Sequence, residues 1–173
     1  MTVICGLLAG CGTSMDASGS GEEANHFYVE NESGAHTCTM AISCTAVLDN
    51  MDQFAAKKKA FVPQDGILLA ETTVAFEEGD TVYDVLTATC QKAGILMEAA
   101  YTPLYGSYYV EGINQLYEFD GGELSGWTYR VNGEYLNYGA SSVKVADGDK
   151  IEWLYTCDLG RDVGNTAVGE TTK

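Results

Sequence analysis

One segment of this chain has a helix-like spacing of apolar residues between strand-like segments, and its position restricts the fold more than any other feature of the sequence. Up to Phe76 apolar residues alternate with a period of two, as in half-buried strands. From Thr81 to Gly94 they recur about every 3.6 residues, as in a helix with one buried face. Strand-like alternation then returns. One helix between strands predicts an α+β domain, because the helix must bury its apolar stripe against a sheet.

Two strands are predicted before the helix. The first covers residues 37–48, TCTMAISCTAVL, and one of its faces carries Cys38, Met40, Ile42, Cys44, Ala46 and Leu48. The second covers residues 67–76, ILLAETTVAF, with Leu68, Ala70, Val74 and Phe76 on one side. An acidic turn at residues 77–80 then leads into the helix.

The predicted helix carries signals at both ends. Thr81 is followed three residues later by Asp84, which is typical of a capping box at a helix N-terminus. Gly94 is typical of a residue that ends a helix in the left-handed conformation. The apolar stripe between them comprises Val82, Val85, Leu86, Cys90 and Ala93.

Residues 95–125 are rich in aromatic side chains and less regular, and no element is assigned to them. Three strand-like pieces follow at residues 127–131, 143–145 and 150–157, separated by the turn sequences Asn-Gly and Asp-Gly-Asp. This order of elements predicts a β-grasp-like fold, in which one helix packs on a small mixed β-sheet. In that arrangement the first and last strands lie side by side and run parallel.

The charge of the chain excludes one class of partner. Twenty-five acidic against nine basic residues give a net charge of −16, which repels phosphate backbones and therefore argues against nucleic acid. With 46% hydrophobic residues, the chain still holds enough apolar material for one folded domain. No stretch reaches the roughly 18 consecutive apolar residues of a transmembrane helix.

The N-terminus indicates export. The short apolar run of residues 1–11 ends in Leu-Ala-Gly-Cys, which resembles a bacterial lipobox and predicts that Cys11 is lipidated. A secretory signal opens with positive charge, yet the first basic residue is Lys57, so this run is interpreted as a truncated signal. The alternative is an ordinary apolar N-terminus of a cytosolic protein.

These features divide the chain into four parts: residues 1–11 as the truncated lipoprotein signal, 12–36 as a flexible tether rich in Ser, Gly and acidic residues, 37–164 as the folded domain and 165–173 as a disordered tail. The expected location is extracellular, with the domain held on the cytoplasmic membrane of a Gram-positive bacterium only through its lipid anchor.

Four cysteines remain in the predicted domain, and an oxidising compartment allows them to form disulfides. The candidates are Cys38, Cys44, Cys90 and Cys157. Cys38 and Cys44 would lie about 20 Å apart on one strand, too far for the roughly 7 Å limit of a bridge. Cys157 is expected to pair with Cys44 or with Cys90, and the sequence leaves these alternatives open.

The chain carries little catalytic equipment. Its two histidines, His26 and His36, lie at the edge of the tether, and no nucleophile–base set or phosphate-binding loop is present. The acidic turns lack the spaced ligands of a calcium loop, and no cysteine–histidine cluster predicts zinc. We therefore expect a protein that is not an enzyme, with no catalytic residues, no metal site and no required cofactor.

Aromatic residues are the remaining candidates for function. Trp153 is assigned to the core, and core packing also accounts for Trp127 and Tyr129. Tyr135 and Tyr138 lie in the short loop NGEYLNYG, where rings with polar tips suit either a flat ligand, a partner surface or simple loop packing. The sequence alone does not choose among these.

The stretches SGWTYRVNG at 125–133, NYGAS at 137–141 and DGDKIEWLYTCDLGRDVG at 147–164 resemble the transcobalamin-like C-terminal domain of Gram-positive surface proteins. That family is similar to the β-domain of the vitamin B12 carriers intrinsic factor and transcobalamin. The resemblance spans residues 37–164 and implies a β-grasp-like fold and a corrinoid ligand of the cobalamin type. The implied ligand-binding residues are Trp127, Tyr129, Tyr135, Asn137, Tyr138 and Gly139.

In the carriers the flat corrin lies between this β-domain and a separate α/α barrel, and this chain has no barrel. The resemblance therefore implies that an α/α-barrel partner or a membrane importer supplies the other half of the site. The alternative function is an extracellular interaction or adhesion module, in which the same aromatic loop contacts protein or glycan.

Overall fold

The computed structural model describes residues 36–166. The predictions for the signal, for lipidation of Cys11 and for the tether before His36 concern residues outside this range, as does the tail from residue 167 onward. The proposed domain limits stay predictions. Within the described range, no helix has the length and apolar composition needed to cross a bilayer.

Residues 36–166 form eight strands and three α-helices, two of the helices being single turns. The strands are β1 (His36–Ser43), β2 (Ile67–Phe76), β3 (Met97–Thr102), β4 (Ser107–Ile113), β5 (Leu116–Tyr117), β6 (Gly126–Val131), β7 (Glu134–Tyr135) and β8 (Lys150–Thr156). The helices are α1 (Thr45–Leu48), α2 (Ala56–Lys59) and α3 (Val82–Ala93). Short 3-10 turns occupy Met51–Gln53, Ala140–Ser142 and Arg161–Val163.

The main sheet has five strands in the order β2-β1-β8-β6-β7. The first and last strands, β1 and β8, are parallel neighbours, with Met40 opposite Ile151 and Ile42 opposite Trp153. The other pairs in this sheet are antiparallel. The predicted α+β, β-grasp-like class, with one main helix on a mixed sheet, is confirmed.

Helix α3 begins and ends where its sequence signals predict. The Thr81 hydroxyl accepts a bond from the backbone N–H of Asp84 (3.3 Å), and the Asp84 carboxylate accepts one from the N–H of Thr81 (2.9 Å). Gly94 ends the helix with φ of 67°, in the left-handed region that glycine tolerates best. The helix buries Val82, Val85, Leu86, Thr89 and Cys90.

The core lies between α3 and one face of the main sheet. Residues paired across strands project from the same face, so the buried Met40, Ile42, Ile151 and Trp153 form one layer beneath the helix. The residues between them, such as Glu152, face the opposite side. We call that side the outer face; there Arg130 and Glu152 form a two-point ion pair with N···O distances of 2.7 and 2.8 Å.

Two sequence interpretations were wrong. The first strand ends at Ser43 rather than at Leu48, because Cys44 precedes a helical turn. The piece at 143–145 is not a strand; Lys144 makes only an isolated bridge with Thr81. In the first case the helical turn buries Val47, whereas Leu48, which the alternation placed on the inner face, is 39% exposed. In the second case, alternation over three residues is too short to distinguish a strand from a turn.

A second, antiparallel sheet of three strands, β3-β4-β5, occupies the region that the sequence left without an element. Its strands are short, and both faces carry aromatic residues, so its alternation of apolar and polar side chains is weak. Val110, Ile113 and Leu116 bury this sheet against the rest of the core. Its tyrosines face solvent, which is important for the functional site.

Candidate functional site

The structure gathers exposed and half-buried aromatic and apolar side chains from three separate segments of the chain. We call this surface the tyrosine patch; it consists of Tyr83, Tyr101, Leu104, Tyr105, Tyr108 and Tyr138. Leu104 is 83% exposed, Tyr105 75% and Tyr138 71%. Exposure of so many large apolar groups in neighbouring positions is unusual for a soluble domain and marks a contact surface.

The centre of the tyrosine patch is a group of three rings. Tyr101 and Tyr108 are directly opposed across β3 and β4, and their rings meet edge to face at 5.3 Å between centroids. Tyr83, from the first turn of α3, stacks on Tyr108 at 4.6 Å with the ring planes 4° apart. Because each ring is held by another, the three form a rigid platform.

The turn between β3 and β4 forms the tip of the tyrosine patch. Pro103 and Gly106 shape it: the N–H of Gly106 bonds to the carbonyl of Pro103 (3.3 Å), and Gly106 has a φ of 58°. Leu104 and Tyr105 lie between them and project into solvent. The hairpin therefore presents two large side chains at its end.

Tyr138 joins the tyrosine patch through the residues that follow it. The Ser141 hydroxyl accepts a bond from the N–H of Tyr108 (3.1 Å) and lies 2.8 Å from the Ser107 hydroxyl. Gly139 packs directly on Ser107; a Cβ added to Gly139 would lie 1.9 Å from the Ser107 oxygen. Only glycine allows the backbone to come this close to Ser107. The contact places the loop that carries Tyr138 beside β4.

The structure places Trp127 and Tyr129 in the core, at 8% and 7% exposure, so neither presents a surface for a ligand. The Trp127 indole donates to the carbonyl of Leu116 (2.8 Å). The Tyr129 hydroxyl donates to the carbonyl of Tyr138 (2.6 Å), and burial raises the pKa of Tyr129 to about 12. Their role is to support the surface: Tyr129 fixes the backbone from which Tyr138 projects.

Tyr135 and Tyr138, which the sequence grouped on one loop, lie in different environments. Tyr135 belongs to β7 and lies opposite Arg130, so it is on the outer face of the main sheet. Its hydroxyl donates to the carbonyl of Val163 (2.5 Å), and its ring lies 5.8 Å from the Arg130 guanidinium. Asn137 is exposed beside Tyr138. Of the predicted residues, Tyr138 belongs to the tyrosine patch, and Asn137 and Gly139 are its neighbours in the chain.

Sequence reasoning missed the other members of the tyrosine patch. The signal was present in YTPLYGSYY at residues 101–109, where a Pro and a Gly three residues apart are flanked by tyrosines. That pattern is typical of a hairpin with aromatic cross-strand pairs. Tyr83 gave no comparable signal, because only the packing of α3 beside β4 brings it to Tyr108.

The four cysteines of the domain are free thiols in the structure. Burial raises the pKa of Cys38, Cys44 and Cys90 to about 12 and that of Cys157 to about 11. Cys44 directly follows β1 and Cys157 directly follows β8. Because Ser43 lies opposite Leu154 in this parallel pair, the two cysteines lie at the same end of the main sheet. The fold thus favours Cys44 as the partner of Cys157, and their disulfide stays a prediction.

Among residues 36–166, no group of three or more His, Cys, Asp and Glu side chains is arranged to hold a metal ion. The tyrosine patch itself consists only of uncharged residues. Its chemistry is therefore that of ring faces, hydroxyl groups and one leucine, which suits binding by stacking and hydrogen bonds.

Residues 79–156, from the turn before α3 to the end of β8, match a domain of unknown function, DUF4430. The predicted relationship to transcobalamin-like domains is confirmed at this level. The DUF4430 segment contains every residue of the tyrosine patch. No curated protein matches the chain.

Two solved structures are similar to the chain. A protein of Ruminococcus gnavus ATCC 29149, described as a candidate metal-binding protein, shares 16% identity over 70% of this chain and 96% of its own, with a TM-score of 0.43. Haptocorrin in complex with Cbi shares 17% identity over 77% of this chain, with a TM-score of 0.47. The match covers 27% of the haptocorrin chain.

Proposed function

We propose that this protein is a non-catalytic binding module whose DUF4430 domain holds a flat ring ligand, a corrinoid, on the tyrosine patch. The observation that carries the proposal is that a half-buried ring from α3 lies among exposed rings from the β3–β4 hairpin, beside the loop that carries the exposed Tyr138. Single exposed apolar residues need no explanation, but a contiguous group of them favours a contact surface.

The chemistry of the tyrosine patch suits a corrinoid in two respects. Ring faces offer a large, rigid contact area for a flat macrocycle at low conformational cost. Asn137 and the serines at 141 and 142 lie at the border, where amide and hydroxyl groups can bond to the amide fringe of such a ligand. The choice of a corrinoid over other flat ligands rests on the resemblance of residues 125–164 to the β-domains of vitamin B12 carriers.

A one-sided surface supports the second part of the proposal, that a partner completes the site. The tyrosine patch is open to solvent, and a ligand lying on it would bury only one face, which limits the affinity. An α/α-barrel protein or a membrane importer would cover the other face. We propose that a lipid on Cys11 holds the domain outside the cell within reach of that partner.

The lipid anchor has its own test. In a chain supplied with a complete signal peptide, Cys11→Ala is expected to release the protein from the membrane into the medium. Persistence of this variant in the membrane fraction would remove the anchor from the proposal while leaving the binding site untouched.

Binding is tested by titrating the full chain with a panel of corrinoids, alone and with a candidate barrel partner. Tyr105→Ala and Tyr138→Ala should each weaken binding by about 2 kcal/mol, roughly thirtyfold, if the ring is a central contact. Tyr135→Ala is the matched control, because Tyr135 lies on the outer face. Equal binding by the parent and both tyrosine patch variants, all shown to be folded, would place the site elsewhere.

One observation favours a second candidate. Leu104 and Tyr105 project from the end of a hairpin and are more exposed than the ring platform behind them. A protruding apolar tip suits insertion into a groove of another protein, as in an extracellular interaction module. A parent that binds no corrinoid with or without a barrel partner, but loses a protein or glycan partner on Tyr105→Ala, would establish this alternative.

A further inference from the structure

The strand β2 ends the five-stranded sheet, and in the described part of the chain it pairs only with β1. Its second edge therefore offers unpaired backbone N–H and C=O groups to a further strand. Natural edge strands are usually protected by charges or prolines. β2 has no proline and one charged residue, Glu71, whose carboxylate pairs with Lys150 (2.5 Å) on the outer face.

The regular part of β2 lies toward its C-terminal end. Pairing with β1 is continuous from Thr72 to Phe76, whereas the register shifts occur nearer Ile67. A strand added to the free edge would thus find a regular template over Thr72–Phe76. This is the part of β2 that lies beside α3.

A groove runs between this part of β2 and the C-terminal half of α3. Its walls are Leu69, Thr72, Val74, Ala75, Ala88, Thr89, Lys92 and Ala93. Six of these eight side chains are Ala, Thr or Val, so the side chains of an added strand would meet a mostly apolar surface. Alternate residues of an added strand would point into it, because side chains of a strand alternate between its two faces.

Lys92 adds a charge preference to the groove. It is exposed, and within residues 36–166 its ammonium group makes no ion pair. It is also the only charged residue of the groove. A carboxylate on the incoming segment would therefore find a partner at this point, close to the end of α3.

We propose that the free edge of β2 and the adjoining groove bind an extended segment of another protein, with alternating apolar side chains and a carboxylate that pairs with Lys92. Such strand addition obtains affinity from backbone hydrogen bonds and specificity from the groove. A second copy of this chain fits less well, because two chains with a net charge of −16 repel each other. This site is independent of the tyrosine patch.

The test uses the full chain and a synthetic decapeptide that alternates valine with threonine and carries one glutamate. Binding is followed by fluorescence anisotropy and by amide hydrogen exchange. The peptide should slow exchange in residues 72–76 and leave β7, the opposite edge strand of the sheet, unchanged. Protection of β7 alone, or of neither edge, would overturn the proposal.

Two variants distinguish the groove from general charge effects. Ala88→Glu places a charge in the groove at an exposed helix position and should weaken peptide binding about tenfold or more, roughly 1.4 kcal/mol. Gln91→Glu adds the same charge to the same helix outside the groove and should leave binding unchanged. Equal weakening by both variants, or by neither, would contradict the groove as the contact.

The carboxylate preference is tested separately. A peptide with glutamine in place of glutamate should bind the parent more weakly, and Lys92→Met should remove that difference.

Other occupants of the edge would overturn the proposal. If residues 72–76 exchange slowly without peptide, and deleting residues 1–30 makes this exchange fast, the chain occupies its own edge. Dimerisation of the parent that is lost in Ala88→Glu would show that a second copy of the chain occupies the edge, and it would also overturn the proposal. Corrinoid binding should be unaffected by Ala88→Glu, so this proposal and the proposed function fail separately.

Discussion

Two groups of aromatic residues in this domain have the same chemistry and opposite environments. On the helix-facing side of the main sheet, Trp127, Tyr129, Trp153 and Tyr155 are almost wholly buried. On the small sheet and the loops beside it, the rings of the tyrosine patch are exposed or half-buried. The first group stabilises the sheet, and the second forms a surface that the sheet supports.

The polar atoms of the two groups show the difference most clearly. In the core the Tyr155 hydroxyl donates to the carbonyl of Tyr117 (2.7 Å), and the polar atoms of Trp127 and Tyr129 also donate to carbonyls. Trp153 is the exception, since its indole N–H has no hydrogen-bond partner among residues 36–166. In the tyrosine patch the rings contact one another instead. An abundance of aromatic residues therefore does not identify a binding site until their exposure is known.

Alkaline pH should have the largest effect on the free energy of unfolding, because it ionises thiols that are buried in the folded domain. Burial raises the pKa of the Cys38, Cys44 and Cys90 thiols from 9.0 to about 12. The unfolded chain loses these protons first, so the stabilisation is complete below about pH 9 and is lost as the pH rises to 12. The free energy of unfolding of the reduced protein, measured from pH 7 to 11, should fall above pH 9. A constant value would contradict the burial of the thiols.

Replacing one ring in each group should separate them next. Tyr155→Ala removes a fully buried ring and is expected to lower the free energy of unfolding by about 3 to 5 kcal/mol. Tyr105→Ala removes a ring that is 75% exposed and should change it by about 0.5 kcal/mol or less. Urea denaturation of both variants measures the contrast, and similar losses would show that the hairpin tip contributes to the core.

A disulfide between Cys44 and Cys157 should strengthen the buried side without altering the tyrosine patch. It would join the end of β1 to the end of β8 and contribute about 2 to 4 kcal/mol. Peptide mapping of the exported, non-reduced protein should recover this pair and leave Cys90 as a thiol. A pair between Cys157 and Cys90, or a free Cys157, would disprove the assignment.

The smallest effect is expected where the two regions meet. Gly139→Ala would force a Cβ against Ser107 and should cost about 1 to 3 kcal/mol. It should also displace Tyr138 and weaken ligand binding. Adding Ser107→Gly, which removes the obstructing hydroxymethyl group, should restore part of the stability. A double variant no more stable than the single one would mean that the close approach of Gly139 is not the cause.

Parts of the fold followed from local patterns. The capping pair Thr81 and Asp84, the apolar stripe of α3 and the strand at 67–76 lie where the sequence predicts them. The parallel pairing of β1 with β8 also agreed with the β-grasp-like arrangement that the order of elements predicts. Short elements did not follow: alternation over two or three residues does not distinguish a strand from a turn.

The sequence by itself determined the α+β class and the position of the helix, since each depends on local periodicity, and it showed a resemblance to transcobalamin-like domains, which depends on contiguous motifs. Only the tertiary structure decided which rings are buried and which are exposed. Trp127 and Tyr129 entered the core, while Tyr83, Tyr108 and Tyr138, from segments far apart in the chain, came together. The reason is that burial depends on which face of a strand meets the helix, and that is set by packing between distant elements.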